Sequence, residues 1–513
     1  MAAKTKQQKT KFSEPILEQS GAKGARPHGK GKRPKVQSKR PSAKVERTDD
    51  GKAQRFAPKG RRPAAKGKRP EADGGRPPAK ASDAASKEPR LAGNNKRLPA
   101  KGGTSAAGVS FAGLLLPLVP PAPEVISEDI LHSSPLAHLD YGAELAIKNE
   151  GLAAYWNKHR LAGSPESIVA SPRPRGYRTT SKRRGFLQGS TLYLLFGDHS
   201  KWGRPEHKKS FLASPLEPVE HERIYRFLQK KLSEGTYRLI AGHLNYLIIR
   251  GSYEEMAVIF NVDMMNGPLV RKLKMLAVHL QKLAEPIVAA SAYLDPSKSD
   301  YYLESRRPSE GTSFKKLFGP DQLAVSHGGC RYLFHPTSFS QVNESMVEEM
   351  LTQARLLLAP DKKEQLLDLY CGYGLFSHFL AQDYKQVLAI DAEGPSIRSA
   401  VANTQLNKER GGAAKFLARR ITRSLFEKGI PAASGPEAVL LDPPRQGPMP
   451  GVIKAICKRR PKKILHIFCG VDQIPASLKE WQANGFKVSR IVPLDMFPGS
   501  ANLEVLVLLV PRQ

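Results

Sequence analysis

The feature that most constrains this chain is a series of short apolar runs alternating with helical patterning after Cys330. The runs are Gln365-Leu-Leu-Asp-Leu-Tyr370, Gln386-Val-Leu-Ala-Ile-Asp391, Ala438-Val-Leu-Leu-Asp442 and Lys463-Ile-Leu-His-Ile-Phe468. Runs this short and this apolar suit strands buried on both faces. Strands that alternate with helices predict an open, mostly parallel sheet with helices on either side. Two closing strands are expected at Phe486–Val492 and Leu503–Val510. Residues 331–513 are therefore predicted to form a doubly wound, Rossmann-like α/β domain.

The preceding region has a different texture. Apolar residues at Leu145, Ile147, Leu152 and Tyr155 predict a helix from about Ser127 to His159, in a mainly helical connector over residues 109–165. Residues 166–330 read as an α+β domain. A strand is expected at Thr191–Phe196, helices at Pro218–Leu232 and Leu269–Leu283, and a hairpin from Tyr246–Arg250 and Met256–Val262 across a short polar turn. Composition alone assigns this middle region no activity.

Charge divides the chain more sharply still. Of 513 residues, 81 are Lys or Arg and 48 are Asp or Glu, a net charge of +33. The first 101 residues hold 29 basic and 9 acidic side chains, so +20 lies in the first fifth. Residues 1–108 are poor in aromatic and β-branched side chains, and are expected to be a disordered basic arm that binds polyanions, nucleic acid above all. A solubilising tail or an address label is the plainer alternative.

Four widely spaced cysteines, Cys330, Cys371, Cys457 and Cys469, form no CxxC pair and suggest neither a metal site nor a disulfide framework. The apolar stretch Val109–Val119 is too short for a bilayer and contains Pro117. These features predict a soluble, cytoplasmic chain, nuclear or organellar if eukaryotic, with no membrane or metal partner and monomeric.

Four motifs carry chemistry. Asp368-Leu-Tyr-Cys-Gly-Tyr-Gly374 follows a buried-type strand and precedes a helix, so Gly372 and Gly374 would let backbone approach a ligand closely. Asp391, at the end of the next strand, is placed to take the hydroxyls of a ribose. With no third glycine at the dinucleotide spacing, the pair suits S-adenosylmethionine better than NAD. Asp442-Pro-Pro-Arg-Gln-Gly447 makes a rigid strand exit where ligands of open sheets sit. Cys469 ends a further strand, where it reads either as a nucleophile or as a buried structural thiol. Glu504, after Asp495-Met-Phe-Pro, could by itself be no more than an exposed strand start.

Taken in order, and with Phe339-Ser-Gln-Val-Asn343 upstream, these segments resemble the RNA (uracil-5-)-methyltransferase family from about Ala292 to the C-terminus. The resemblance implies a methyltransferase domain that uses S-adenosylmethionine to methylate C5 of a uridine in tRNA or rRNA. It implies Cys469 as nucleophile and Glu504 as acceptor of the C5 proton. Gln341, Tyr370, Asp391 and Asp442 match positions that contact the cofactor in the family. Some positions depart from the pattern. Phe468-Cys-Gly-Val471 stands where the family has Ser-Cys-Asn-Pro, Leu375 replaces a polar residue, and Asn502 replaces a histidine; a cysteine-rich iron–sulfur motif is missing. Arg445 after Pro-Pro argues against cytosine-5 and amino methylation. A catalytically silent RNA-binding or assembly factor on the same fold, or methylation at another base position, are the alternative readings.

Overall fold

The computed structural model describes residues 109–123, 134–195, 212–298, 314–412 and 414–512. The expected basic arm lies outside the described residues. At the start of these, α1 (Phe111–Leu115) packs on α2 (Tyr141–Lys158). Gly151 permits the close crossing, since a Cβ there would lie 3.1 Å from Leu115 Cβ. Of the helix predicted from Ser127, the first residues lie outside the described ones, and among the described residues it begins at Tyr141. Residues Ser134–Leu139 form turns, and the Asp140 side chain accepts the Gly142 and Ala143 N–H groups as N-cap. The buried stripe of α2 also differs from the apolar pattern. Glu144 and Lys148 are fully buried above Leu152, Tyr155 and Trp156, while Leu145 and Ile147 are only partly covered.

The middle region contains β1 (Thr180–Gln188), β2 (Thr191–Leu195), α3 (Val219–Leu232), α4 (Arg238–His243), β3 (Leu244–Gly251), β4 (Met256–Val262), α5 (Gly267–Leu280), β5 (Ile287–Leu294) and β6 (Phe314–Phe318). The strands form one sheet in the order β2-β1-β3-β4-β5-β6. The expected hairpin is present, β3 and β4 pairing antiparallel with Ile248 opposite Ile259. Helix α5 carries the chain to β5, which runs parallel to β4. Ile224, Leu228, Leu269, Leu273 and Leu276 from the helices meet Leu247, Ile249, Val258 and Phe260 of the sheet in a common core.

The basic segment that becomes β1 gave no apolar signal. Its inward positions are polar but paired: Arg183 is fully buried against Glu217, and Ser181 hydrogen-bonds His221 and Tyr225 at 2.8 Å each.

A hairpin of β7 (Leu323–His327) and β8 (Cys330–Phe334) spans the expected boundary at 330/331. Then follow α6 (Val347–Leu358), β9 (Gln365–Leu369), α7 (Leu375–Leu380), β10 (Gln386–Asp391), α8 (Pro395–Leu406), β11 (Ala414–Ala418), α9 (Arg423–Lys428), β12 (Glu437–Leu441), α10 (Val452–Lys458), β13 (Lys463–Phe468), α11 (Ile474–Ala483), β14 (Phe486–Leu494) and β15 (Glu504–Pro511).

The seven-stranded sheet has the order β11-β10-β9-β12-β13-β15-β14. All four predicted apolar runs are parallel strands of it. Alternate side chains of each strand enter different cores, as the two-residue period demands. Leu366, Ala438, Leu440, Leu465 and Ile467 lie in one, and Leu367, Leu369, Val439, Leu441, Ile464 and Phe468 in the other. Chain order reverses at β9, whose neighbours are β10 and β12, so the crevice for a ligand opens at the carboxyl ends of these three strands. The last strand, β15, inserts antiparallel between β13 and β14, so its first residue lies at that same end of the sheet.

Candidate active site

The turn after β9 is left-handed at three residues, Tyr370 (φ 64°), Gly372 (φ 57°) and Gly374 (φ 86°). At Gly374 a Cβ would fall 2.8 Å from His378 Cδ2, so only glycine lets α7 start there. Beside Gly372 the space is open. Asp391 holds the turn in place, its two oxygens accepting the Gly372 N–H at 2.8 Å and the Ala392 N–H at 2.6 Å. Burial pushes the Tyr370 phenol up to about 12.

Three aspartates converge on this crevice from the ends of β9, β10 and β12. Burial raises Asp368 to about 7, with the charges of Asp442 and Asp391 adding to it and a hydrogen bond from Ser377 opposing. Burial, then the Asp391 charge, raises Asp442 to about 7 as well. Asp391 is raised mainly by burial, against its two backbone hydrogen bonds. Asp368 Oδ1 has no hydrogen-bond partner among the described residues. A crevice of crowded, under-satisfied carboxyls beside an open glycine turn suits a cationic ligand with hydroxyl donors. The residues present therefore fit S-adenosylmethionine, with its sulfonium, amino group and ribose.

Cys469 and Glu504 meet at the edge of this crevice. The antiparallel ladder of β13 and β15 ends at Phe468 opposite Val505, and one further step of that register sets Cys469 opposite Glu504. Facing residues on such a ladder hold their Cβ atoms ~5 Å apart. Glu504 is buried and Cys469 half-buried. Burial, followed by the charge of Glu504, pushes the Cys469 thiol up to about 11; Asp442 adds to the rise, while Gln473 and Arg445 oppose it. Glu504 is itself held well above the usual carboxylate range by burial and by Asp442, with Arg445 opposing. Thiol, two carboxyls and one guanidinium thus share a single electrostatic neighbourhood.

Gln341 stands apart. Half-buried, it lies on a segment stitched to the middle region by Thr179 N–H to Val342 O at 2.9 Å and Arg250 to Ser340 at 3.0 Å. Among the described residues no hydrogen bond joins it to the aspartates. Two further side chains shape the Cys469 loop. Gln473 Nε2 donates to Cys469 Sγ at 3.5 Å and to Arg445 O at 2.8 Å, and Asn502 Nδ2 donates to Cys469 O at 3.2 Å. Asn502 was visible in the sequence only as a departure from a family pattern, and Gln473 gave no signal at all. Cys371, inside the glycine turn, is buried, and burial with the nearby Asp368 and Asp391 charges holds its thiol far above the reactive range. Among the described residues no helix is long and apolar enough to cross a membrane, and no cluster of His, Cys, Asp or Glu could hold a metal ion.

Known proteins resemble this chain in sequence and in fold. Residues 302–512 match the family model for tRNA (uracil-5-)-methyltransferases. A tRNA (uracil(54)-C(5))-methyltransferase of Pyrococcus furiosus is 24% identical over 375 residues, covering 72% of this chain and 80% of that protein. A 23S rRNA (uracil(1939)-C(5))-methyltransferase of a Marinomonas species is 32% identical over 188 residues, 36% of this chain and 41% of its own. Among solved structures, the Pyrococcus abyssi tRNA (uracil-54, C5)-methyltransferase in complex with S-adenosyl-L-homocysteine superposes with a TM-score of 0.56 at 20% identity, over 77% of this chain and 86% of that one, a likeness of fold. With the motifs in order and the sheet that carries them in place, residues 302–512 are similar in sequence to the tRNA (uracil-5-)-methyltransferase family.

Proposed function

We propose that this protein transfers a methyl group from S-adenosylmethionine to C5 of a uridine in tRNA or rRNA, through a covalent bond between Cys469 and C6 of the base. The observation that carries this reading is the meeting of Cys469 and Glu504 at the ends of β13 and β15, beside Asp442. C5 of uracil is a weak nucleophile. Adding a thiolate to C6 makes C5 an enolate carbon able to attack an electrophile. When bound, S-adenosylmethionine supplies the electrophilic methyl group, and Asp391, Asp442 and Tyr370 would hold it, with Gln341 added on the family resemblance.

The chain's own residues perform the proton and sulfur chemistry. The Cys469 thiol, only half-buried, must pass its proton to solvent before it attacks. Gln473, by donating to the sulfur, and Arg445, by its charge, favour the thiolate against burial. Once C5 carries its methyl group, the Glu504 carboxylate takes the C5 proton. That electron pair restores the C5–C6 double bond, and the C6–S bond breaks to release thiolate. We further propose that residues 331–513 carry this chemistry, that residues 166–330 face the RNA, and that residues 1–108 add sequence-independent phosphate binding.

The test uses RNA containing 5-fluorouridine, incubated with protein and S-adenosylmethionine and run on a denaturing gel. Fluorine cannot leave C5 as a cation, so a methylated covalent adduct is expected with the parent and none with Cys469→Ala. No adduct across transfer and ribosomal transcripts would favour a silent RNA-binding role, to which the Gly470-Val471 pair after the cysteine points.

A further inference from the structure

Both reacting groups adjoin loops, and the same N-terminal segment holds both loops from outside the sheet. The loop from Asp495 to Leu503 delivers Glu504. Lys148 on α2 donates to Asp495 Oδ1 at 2.8 Å and to Phe497 O at 3.2 Å, and pairs with Glu144 Oε1 at 2.7 Å. The Gly499 N–H donates to that same Glu144 oxygen, the Tyr141 hydroxyl donates to Asp495 Oδ2 at 3.2 Å, and Leu136 N–H donates to Gly499 O at 3.0 Å. Arg175 pairs with Glu144 Oε2 at 2.9 Å, which balances two cations against two carboxylates.

Glu144, Lys148 and Asp495 are fully buried. Buried ion networks are seldom the most stable way to fill a core, because desolvation offsets the attraction. What these directed bonds add is a fixed position for named loop atoms, which a proton-accepting carboxylate needs.

The second hold is on the loop that carries the nucleophile, Cys469 to Gln473. Phe111 N–H, at the start of α1, donates to Asp472 Oδ1 at 2.8 Å. Burial and the nearby Asp472 charge push the Tyr155 phenol above its ordinary range, which places Asp472 against α2 as well. The neighbouring Gln473 is the residue that donates to Cys469 Sγ. Where the family pattern has Asn-Pro after the cysteine, this chain has Gly-Val followed by an aspartate anchored to α1.

We propose that residues 109–123 and 134–158 form a brace that positions both reacting groups, Lys148 acting on proton removal by Glu504 and Asp472 on attack by Cys469. The inference rests on the covalent reading above, and it predicts that the two holds control different steps. Lys148→Met combined with Asp495→Asn removes one cation and one carboxylate and leaves Glu144 paired with Arg175. With that tether cut, the C5 proton leaves slowly. Methylated adduct on ordinary uridine RNA should then accumulate about tenfold over the parent, the scale of a misplaced proton acceptor. Affinity for S-adenosylhomocysteine should be unchanged.

Asp472→Ala, at an exposed side chain, should instead slow adduct formation on 5-fluorouridine RNA about tenfold, with no accumulation on uridine RNA. Should the double variant fail to fold, Tyr141→Phe removes one donor to Asp495 and should give smaller accumulation of the same kind. Folded variants with parental rates at both steps would overturn the proposal. So would variants that slow both steps equally or weaken S-adenosylhomocysteine binding, since these mark a general scaffold. A parent protein that forms no adduct would instead sink the covalent reading itself.

Discussion

Asp368→Asn offers a quantitative test of the crowded carboxylates. Asp368 lies within β9, 1% exposed, with Ser377 donating to one oxygen and the other without a partner among the described residues. Its carboxyl is raised from an ordinary 3.8 to about 7, chiefly by burial. The folded state therefore keeps a proton that the unfolded chain gives up near 3.8. The stability tied to that proton is fully present below the unfolded value and is lost as pH rises through about 7. By about pH 8 the loss approaches ~4 kcal/mol, at about 1.4 kcal/mol for each tenfold change in proton affinity.

Asparagine is neutral at every pH, has nearly the same shape and still accepts from Ser377. The variant should match the parent near pH 4 and exceed it by up to ~4 kcal/mol near pH 8. Denaturant unfolding of both proteins across that range, without cofactor, measures the difference. A difference that does not change with pH would refute the argument. A variant less stable than the parent at high pH would show that Asp368 is ionised and partnered instead.

Other expectations follow from the same geometry. Glu504→Gln should lower the pH midpoint for alkylation of Cys469, because the Glu504 charge ranks after burial in raising that thiol; mass spectrometry of iodoacetamide labelling reads it, and an unchanged or higher midpoint would contradict the placement. Glu217→Ala should destabilise the middle region by ~3 kcal/mol, since it removes the carboxylate that pairs with the fully buried Arg183 guanidinium; a denaturant midpoint like the parent's would contradict this. Removing residues 1–101, which carry a net +20, should weaken RNA binding and flatten its dependence on salt, while leaving S-adenosylhomocysteine affinity as it was. Equal salt slopes for the two chains would remove the arm from RNA binding.

The catalytic sheet was the most legible part of the chain, because its parallel strands are buried on both faces and so are written as unbroken apolar runs. The glycine turn and the strand-end aspartates were legible for a related reason: backbone conformation and position at a strand end are local properties. β1 was not legible, because its buried arginine and serine acquire partners only from α3 and the segment before it. Nor was the first half of α2, where the apolar pattern pointed to Leu145 and Ile147. The interior instead took Glu144 and Lys148, whose charges are tolerable there only with Asp495 and Arg175 in place.

By itself the sequence determined the fold class, and through a family resemblance it singled out the crevice, thiol and carboxylate on which the proposed chemistry rests. Only the tertiary structure decided that Cys469 and Glu504 face each other, because that depends on β15 inserting antiparallel beside β13. The same is true of the brace, whose two holds join residues more than three hundred positions apart. Local propensity carries no information about a hydrogen bond between such distant positions, whose donor and acceptor meet only once the sheet has formed.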